Sequence, residues 1–166
     1  MIDASFPMQR KGVNEMEKQQ KSIIGTILSV NVSDKKGQKK HNIGTCLLTK
    51  GVGLKGDAHA GTEIRQVSLL AKESIEKIRA KGLDVRYGDF AENLTTKGII
   101  LHELPIGTML KIGDEVLVTI TQIGKVCHDR CAIFAQVGDC VMPREGIFAE
   151  VIASGEIAVG DSIQVI

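Results

Sequence analysis

Two cysteines stand close together in the segment "GKVCHDRC", late in the chain. Cys127 and Cys131 are four positions apart, and His128 lies between them. The imidazole of His128 and the cations Lys125 and Arg130 place potential positive charge around Cys127. Positive neighbours lower the pKa of a thiol and favour the thiolate, which attacks electrophiles and ligates metals. A zinc site, a disulfide, a buried apolar pair and a reactive thiolate are therefore the alternatives for this segment.

Structural zinc is poorly supported by the spacing of the cysteines. A zinc site usually combines two close cysteines with a second pair of ligands elsewhere in the chain. Cys140 has no partner two to four positions away, and nothing requires Cys46 and His128 to complete a set. We therefore expect no structural zinc.

Whether the cysteines form a disulfide depends on the cellular compartment. The polar N-terminus has no apolar run typical of a secretory signal, so the four cysteines indicate a reducing, cytoplasmic environment in which disulfides are less favoured. We interpret Cys46, Cys131 and Cys140 as small buried hydrophobic side chains, which is the usual role of free cysteine. For Cys127, local chemistry leaves a functional and an inert thiol open.

Three other segments contain residues that could bind an anion or transfer a proton. The loop "GVGLKGDAHAG" offers backbone N–H groups, Lys55 and His59 to a phosphate, although it matches neither common nucleotide-binding motif and could be a long turn capped by Asp57. "GDFAENLTT" contains two carboxylates that could act as an acid pair, but its residues are also typical of an ordered loop. In "DCVMPREG", Arg144 is either an anion ligand or a surface charge.

Composition limits the class of protein. A chain of 166 residues forms one domain, or two at most, and can bury a core without metals or disulfides. With no Trp, one Tyr and four Phe, the core must be aliphatic, which favours β structure. The net charge of +1 is too small to indicate nucleic-acid binding by the protein as a whole. No apolar run approaches the length of a membrane span. Residues 1–21 are interpreted as a flexible leader, and residues 22–166 as the domain.

The elements that must position these residues are mainly short strands. "IIGTILSVNVS" alternates apolar with small or polar residues, and "TCLLT", "RQVSLL" and "REGIFAEVIASG" are further strand candidates. "AKESIEKIRAKG" predicts a helix that ends at Gly82, whereas "VRYGDFAENLTTKGI" has the character of a loop. "LKIGDEVLV" and "IAVGDSIQV" repeat one pattern and each predicts a hairpin around a Gly-Asp turn. Together they predict a mainly β protein, a closed or nearly closed barrel with one or two helices outside.

Taken in order, these segments resemble a MOSC domain, the module named for the C-terminal part of molybdenum cofactor sulfurases. The resemblance is carried by "GLKGDAHAG", "RQVSLL", "GDFAENLTT", "LPIGTMLKIGDEVLVTITQIGKVCH" and "GIFAEVIASGEIAVGDSI", which together cover most of residues 22–166. The chain more closely resembles the small stand-alone bacterial members of the family. The resemblance implies a β-rich, pyruvate-kinase-like barrel with a few flanking helices.

The resemblance also implies a molybdenum cofactor, a molybdopterin whose metal is ligated in related reductases by one late cysteine. That cysteine maps onto Cys127, here preceded by Lys125 and Val126 where many relatives have Arg and Pro. The matched glycine loop and the later Glu-Asn-Leu-Thr segment are implied to shape the pocket, and nearby cations suit the cofactor's phosphate. The implied cofactor-binding residues are Lys55, Gly56, Asp57, His59, Arg65, Glu92, Asn93, Thr95, Lys125, His128, Arg130 and Arg144.

Two classes of function follow from the resemblance. The first is a binding module that carries cofactor or sulfur through Cys127 to apo-molybdoenzymes or to proteins of cofactor biosynthesis. The second is a molybdenum-dependent reductase of N-hydroxylated compounds that uses an external electron donor. The additional redox and desulfurase domains of larger relatives do not fit in 166 residues, which favours the carrier.

Overall fold

The computed structural model of the chain describes residues 23–61, 63–126 and 132–166. Strands dominate these residues, and the helices are short. The strands are β1 (Ile24–Val32), β2 (His41–Asn42), β3 (Thr45–Thr49), β4 (Gly53–Leu54), β5 (Val67–Ala71), β6 (Leu94–Lys97), β7 (Met109–Ile112), β8 (Val116–Ile123), β9 (Ile147–Ala153), β10 (Gly155–Ala158) and β11 (Ser162–Val165). The helices are α1 (Lys72–Arg79), α2 (Ala132–Val137) and α3 (Met142–Glu145), and a 3-10 turn covers Leu101–Glu103.

Seven strands close into a barrel. Their order is β11-β7-β8-β9-β5-β6-β1, and β1 then pairs with β11 to complete the ring. Among the described strands of the ring, β5 and β6 run parallel while their other neighbours are antiparallel. Closure pairs the edge strands with each other, so that the ring leaves no free edge. The predicted mainly β barrel with flanking helices is confirmed.

The barrel interior is aliphatic, as the scarcity of aromatic residues predicts. One strand from each side of the ring shows the pattern: Ile27 and Val30 of β1 and Val118 and Ile120 of β8 are each fully buried. They belong to one hydrophobic cluster that fills the barrel. A second cluster packs α1, α2 and α3 against the outside of the ring, and includes the buried Ile75 and Ile78 of α1. Each fully buried aliphatic side chain contributes about 1.5–3 kcal/mol.

One of the two predicted hairpins is wrong. β7 and β8 pair with each other around the first Gly-Asp turn, as expected. The second copy gives strands β10 and β11, but these separate after the turn: β10 pairs with β3 in a small sheet β10-β3-β4, whereas β11 joins β7 and β1 in the ring. The backbone N–H of Val159 donates to Gly44 on the neighbouring segment, and that of Gly160 donates to Ile27. The same Gly-Asp turn can therefore also connect two strands that belong to different sheets.

The loop predicted across "VRYGDFAENLTTKGI" is also partly wrong, because its second half is strand β6. Thr95 and Thr96 are fully buried there, between β5 and β1. Their hydroxyls made the segment resemble a loop, but the β-branched side chains suit a central strand. The helix α1 ends at Arg79, and the following turn runs to Gly82, where the predicted stop adopts a positive φ.

No helix of the described residues has the length and apolar character needed to cross a membrane.

Candidate functional site

A cleft of about 240 Å³ lies beside the paired strands β5 and β9, where Ser68 faces Phe148. The segments after β1 and β8 and those before β5 and β6 contribute most of its other lining residues. The described residues that line the cleft are Lys36, His59, Glu63, Arg65, Ser68, Phe90, Ala91, Asn93, Lys125, Met142 and Phe148. The cleft therefore brings together parts of the glycine loop, the "GDFAEN" segment and the end of β8, which are far apart in sequence.

Asp57, in the glycine loop, is buried beneath the cleft and holds two other loops. Its Oδ1 accepts from the ammonium of Lys40 at 2.5 Å and from the backbone N–H of Ser33 at 3.1 Å. Its Oδ2 accepts from the side chain of Asn93 at 3.1 Å and from the backbone N–H of His59 at 3.3 Å. Burial alone would raise the pKa of Asp57, but these hydrogen bonds and the charge of Lys40 outweigh it and lower the pKa. Asp57 is therefore an ionised anchor and does not line the cleft.

Asn93 connects Asp57 to the barrel. Its amide nitrogen donates to Asp57 and to the backbone carbonyl of Asn31, each at 3.1 Å. Its side-chain oxygen accepts from the backbone N–H of Ser68 at 3.0 Å and from the Ser68 hydroxyl at 3.1 Å. The partners of this buried amide are Asp57, the end of β1 and the start of β5, so Asn93 fixes the start of β6 against β1, β5 and the glycine loop. It also contributes to the wall of the cleft.

Glu92 is a fully buried carboxylate that organises the loop before β6. It accepts hydrogen bonds from the backbone N–H groups of Gly88 and Phe90 and from the hydroxyl of Thr95, at 2.6, 3.2 and 2.9 Å. Burial raises the pKa of Glu92 to about 7, although these hydrogen bonds oppose the shift. Glu92 and Thr95 thus support the cleft from below, and neither belongs to its lining.

The loop that Glu92 holds contains a strained residue at the wall of the cleft. Ala91 has φ 62, a left-handed conformation that a residue with a Cβ rarely adopts. Its N–H donates to Gly88 at 3.0 Å, and its carbonyl accepts from the hydroxyl of Ser68 at 3.4 Å. Gly88 itself has φ 97, and a Cβ there would collide with the carbonyl oxygen of Lys40. The turn is therefore held by its surroundings and places Phe90 and Ala91 against the cleft.

The cleft carries more positive than negative charge. Lys36, Arg65 and Lys125 line it, with Glu63 as the carboxylate among the described lining residues. The guanidinium of Arg65 lies over the ring of Phe148, 5.7 Å from the ring centre. A guanidinium that stacks on an aromatic ring can at the same time donate hydrogen bonds to an anionic group of a ligand.

Lys125 is placed in the cleft by the turn at the end of β8. Gly124 has φ 76, and its N–H donates to the carbonyl of Gly146 at 2.7 Å. A Cβ at this position would collide with the carbonyl oxygen of Pro143, so the turn packs closely against the start of α3. Gln122 adds a hydrogen bond of 2.8 Å from its amide to the carbonyl of Gly124.

The thiols fall into two groups. Cys46 and Cys140 are buried, with exposed fractions of 6% and 7%, in agreement with the interpretation as small hydrophobic side chains. Burial is also the main reason that the pKa of Cys46 is raised. Cys127, His128, Arg130 and Cys131 lie outside the described residues. No cluster of three or more metal-ligating side chains is present in the described part of the chain.

The predicted cofactor-binding residues thus separate by location. His59, Arg65, Asn93 and Lys125 line the cleft. Asp57, Glu92 and Thr95 are buried supports of it. Lys55 and Gly56 are exposed, and Arg144 pairs with Asp139 at 3.0 Å with 60% of its side chain exposed. Among the residues described, these last three do not line the cleft.

Sequence reasoning missed four described polar residues of this region. Lys36 and Lys40 belong to the charged turn before β2, Glu63 follows the glycine loop, and Ser68 lies in β5. A run that contains Lys35, Lys36, Lys39 and Lys40 gives no sign of which lysine is buried. Only the spatial approach of Asp57 distinguishes Lys40 from its neighbours.

A second, more open groove of about 430 Å³ lies between the start of β1, the end of β6 and α1. Its polar lining consists of Thr26, Lys72, Glu73, Glu76 and Lys97. None of the predicted site residues that the structure describes lies in it, and the charges of its two lysines and two glutamates are balanced. The smaller cleft is therefore the candidate site.

Comparison with known proteins identifies the fold and the family. The profile of the MOSC domain matches residues 56–164. The structure is similar to that of the YuaD protein from Bacillus subtilis, with a TM-score of 0.73 and 18% identity over 87% of this chain and 97% of that one. It is also similar to YiiM from Geobacillus stearothermophilus, with a TM-score of 0.63 and 19% identity over 86% and 75% of the two chains.

YiiM from Escherichia coli is similar as well, with a TM-score of 0.57 and 17% identity over 87% of this chain and 69% of that one. At these identities the likeness establishes the fold alone. No curated protein gave a significant match to the chain. Because the family profile covers most of the domain, the chain belongs to the MOSC domain family, which is associated with binding of the molybdenum cofactor.

Proposed function

We propose that this protein binds a molybdopterin-type cofactor in the cleft and carries the cofactor, or a sulfur atom held on Cys127, to molybdoenzymes during their maturation. The observation that carries the proposal is the composition of the cleft. Three cations and two aromatic rings surround one cavity, and several residues of the matched family segments line it or support it.

The donors present in the cleft fit the chemical groups of such a cofactor. Its phosphate is an anion, for which Lys36, Arg65 and Lys125 provide positive charge, and an arginine fork can bind phosphate through two parallel hydrogen bonds. Its pterin includes a flat pyrimidine ring, for which Phe90 and Phe148 provide apolar surface. When bound, the group supplies a metal with sulfur ligands that can exchange electrons and sulfur; the protein supplies its binding site.

Sequence position supports a role for Cys127 at the same site. Cys127 follows Lys125 by two positions in the chain, and Lys125 lines the cleft. A thiolate is a soft ligand and suits a metal that already has sulfur ligands. We assign to Cys127 the contact with the metal or with the transferred sulfur.

The experiment that tests the proposal is activation of an apo-molybdoenzyme by purified protein loaded with cofactor. Wild type is compared with Cys127→Ala and with Cys46→Ala, a matched control because Cys46 is buried in the second sheet. We expect activation by wild type and by Cys46→Ala and loss of activation with Cys127→Ala. Equal activation by Cys127→Ala would remove this cysteine from the mechanism. Failure of the wild type to retain cofactor would reject the proposal as a whole.

A further inference from the structure

The ammonium group of Lys40 contacts three side chains at once beneath the cleft. Its Nζ lies 2.5 Å from Oδ1 of Asp57, 3.0 Å from Nδ1 of His59 and 3.4 Å from the hydroxyl oxygen of Ser33. The Lys40 side chain is only 1% exposed, so water cannot replace these partners readily. An ammonium group has three donors and no acceptor, and Nδ1 of His59 must therefore accept this hydrogen bond. A neutral imidazole that accepts at Nδ1 carries its proton on Nε2.

The surroundings of His59 also disfavour its protonated form. A protonated imidazole donates from both nitrogens, which would direct an N–H group at the Lys40 ammonium. The charged groups that face His59 or share the cleft with it are Lys36, Lys40, Asp57, Glu63, Arg65 and Lys125. Burial, followed by the charge of Lys40, lowers the pKa of His59, and Asp57 opposes the shift only in part. His59 is therefore neutral at physiological pH and is no cation of the cleft.

The other ring nitrogen of His59, Nε2, is not enclosed by the described residues. His59 is one of the lining residues, and Nε2 has no hydrogen-bond partner among the residues that the structure describes. The described polar side-chain atoms that are buried without a hydrogen-bond partner are those of Thr96 and His102. Nε2 of His59 is not among them and is therefore accessible from outside the protein. Nε2 can therefore meet a ligand in the cleft.

We propose that Lys40 holds His59 as the neutral Nε2–H tautomer, and that His59 thereby presents a fixed hydrogen-bond donor to an anionic group bound in the cleft. Lys40 acts as a positioning residue through the ring and does not touch the ligand itself. The identity of the anion as the cofactor's phosphate or sulfur core rests on the proposed function. The tautomer of His59 does not depend on it.

The tautomer is tested on ligand-free protein by NMR of ¹⁵N-labelled histidine, with the His59 signals assigned from their loss in His59→Gln. We expect the pattern of an Nε2–H neutral ring at pH 7 and a titration midpoint below the ordinary value of about 6.5. In Lys40→Met we expect a mixture of tautomers and a higher midpoint. An Nδ1–H or protonated His59 in the wild type would overturn the proposal, and this result does not require the variant to fold.

The donor role is tested with two substitutions that place an amide at different ring positions. Glutamine puts its NH₂ group near the position of Nε2, whereas asparagine puts its amide near that of Nδ1. The probes are molybdopterin released from a molybdoenzyme and, separately, inorganic phosphate, with binding measured by calorimetry. We expect His59→Gln to bind within about threefold of wild type and His59→Asn to bind about tenfold more weakly or worse, the effect of one hydrogen bond to a charged group.

Equal losses in the two variants, or a greater loss in His59→Gln, would overturn the donor role. The ratio of wild-type to His59→Asn affinity should also stay constant between pH 7 and 8, because the neutral donor has no proton to lose there. A ratio that falls as pH rises would identify a protonated ring instead. Binding of phosphate without binding of molybdopterin would reject the proposed function and leave the donor role standing. Binding of neither probe would reject both, while the NMR result still decides the tautomer.

Discussion

Lys40 and Asp57 form an ion pair beneath the cleft, with 2.5 Å between Nζ and Oδ1 and only 1% of each side chain exposed. The pair joins the charged turn before β2 to the glycine loop, which are separated by two strands in sequence. Removing one member of a buried pair leaves an uncompensated charge, which costs about 3–5 kcal/mol. The pair therefore holds the floor of the cleft in one arrangement.

We predict that Lys40→Met lowers the free energy of unfolding by about 3–5 kcal/mol, measured by urea denaturation. The matched control is Lys77→Met. Lys77 pairs with Glu145 at a similar distance, 2.6 Å, but 59% of its side chain is exposed. Exposed pairs contribute about 1 kcal/mol or less. Equal effects of the two substitutions would show that burial of the Lys40 pair has no energetic consequence.

Glu92 should make stability depend on pH. The pKa of Glu92 is about 7 in the folded protein, against an ordinary value of 4.5, so between these values the folded state retains a proton that the unfolded state has released. The protonated Glu92 side chain therefore adds to the unfolding free energy. This contribution is fully present below the pKa of the unfolded state and is lost as pH rises through the pKa of the folded state. It amounts to roughly 3 kcal/mol in total.

We therefore expect the unfolding free energy of the wild type to fall between pH 4.5 and about 7 relative to that of Glu92→Gln, which cannot ionise. Urea midpoints over this range give the difference. Glu103→Gln, at an exposed position, should keep the wild-type dependence. A wild-type curve parallel to that of Glu92→Gln would show that folding does not raise the pKa of Glu92.

Ala91 provides a test of strain at the wall of the cleft. Its φ of 62 lies in the left-handed region, where a Cβ costs about 1–2 kcal/mol that glycine does not incur. We predict that Ala91→Gly raises the unfolding free energy by up to about 1 kcal/mol, because relief of strain exceeds the greater entropy of the unfolded chain. Ala80, which follows α1 with φ −62, is the control: Ala80→Gly should destabilise by about 0.5–1 kcal/mol. If both substitutions destabilise the protein, the left-handed conformation of Ala91 is not strained.

The sequence predicted the barrel because its strands carry clear patterns. β1 alternates around the buried Ile27, and the β7–β8 hairpin is specified by its own Gly-Asp turn. The separation of β10 from β11 was missed because the turn has the same local chemistry in both copies. What differs is the neighbour available to each strand: Ile157 faces Cys46 of β3, and Ile163 faces Ile112 of β7. A local pattern contains no information about such partners.

The site was predictable only where residue type indicates chemistry. The matched segments and their cations pointed to four residues that line the cleft, His59, Arg65, Asn93 and Lys125. They also pointed to Lys55, Gly56 and Arg144, which do not line it. Lys40 was missed since its burial depends on Asp57. The resemblance also gave no means of separating residues that line the cleft from those, such as Glu92, that support it. That distinction depends on which way each side chain points, and the three-dimensional structure supplies it.

The cations of the cleft should contribute to cofactor affinity. We predict that Arg65→Glu and Lys125→Glu weaken binding of a molybdopterin-type cofactor about tenfold or more, because each replaces an attractive charge with a repulsive one. Arg144→Glu is the control, since Arg144 pairs with Asp139 outside the lining of the cleft. Equal weakening in all three variants would mean that affinity reflects total charge and not the cleft. Thermal unfolding should show that the two cleft variants lose less than about 0.5 kcal/mol.

The last prediction distinguishes a carrier from a reductase. A reductase must leave its metal accessible to substrate and must receive electrons, whereas a carrier needs only binding and release. We expect purified, cofactor-loaded protein to reduce no N-hydroxylated base by itself, and to show no multiple-turnover reduction when a generic flavin reductase and its electron donor are added. The assay follows consumption of the base with wild type and Cys127→Ala in parallel. Multiple turnover by the wild type that is absent from Cys127→Ala would replace the carrier with the enzyme, because it would show that electrons reach a working metal site through this cysteine.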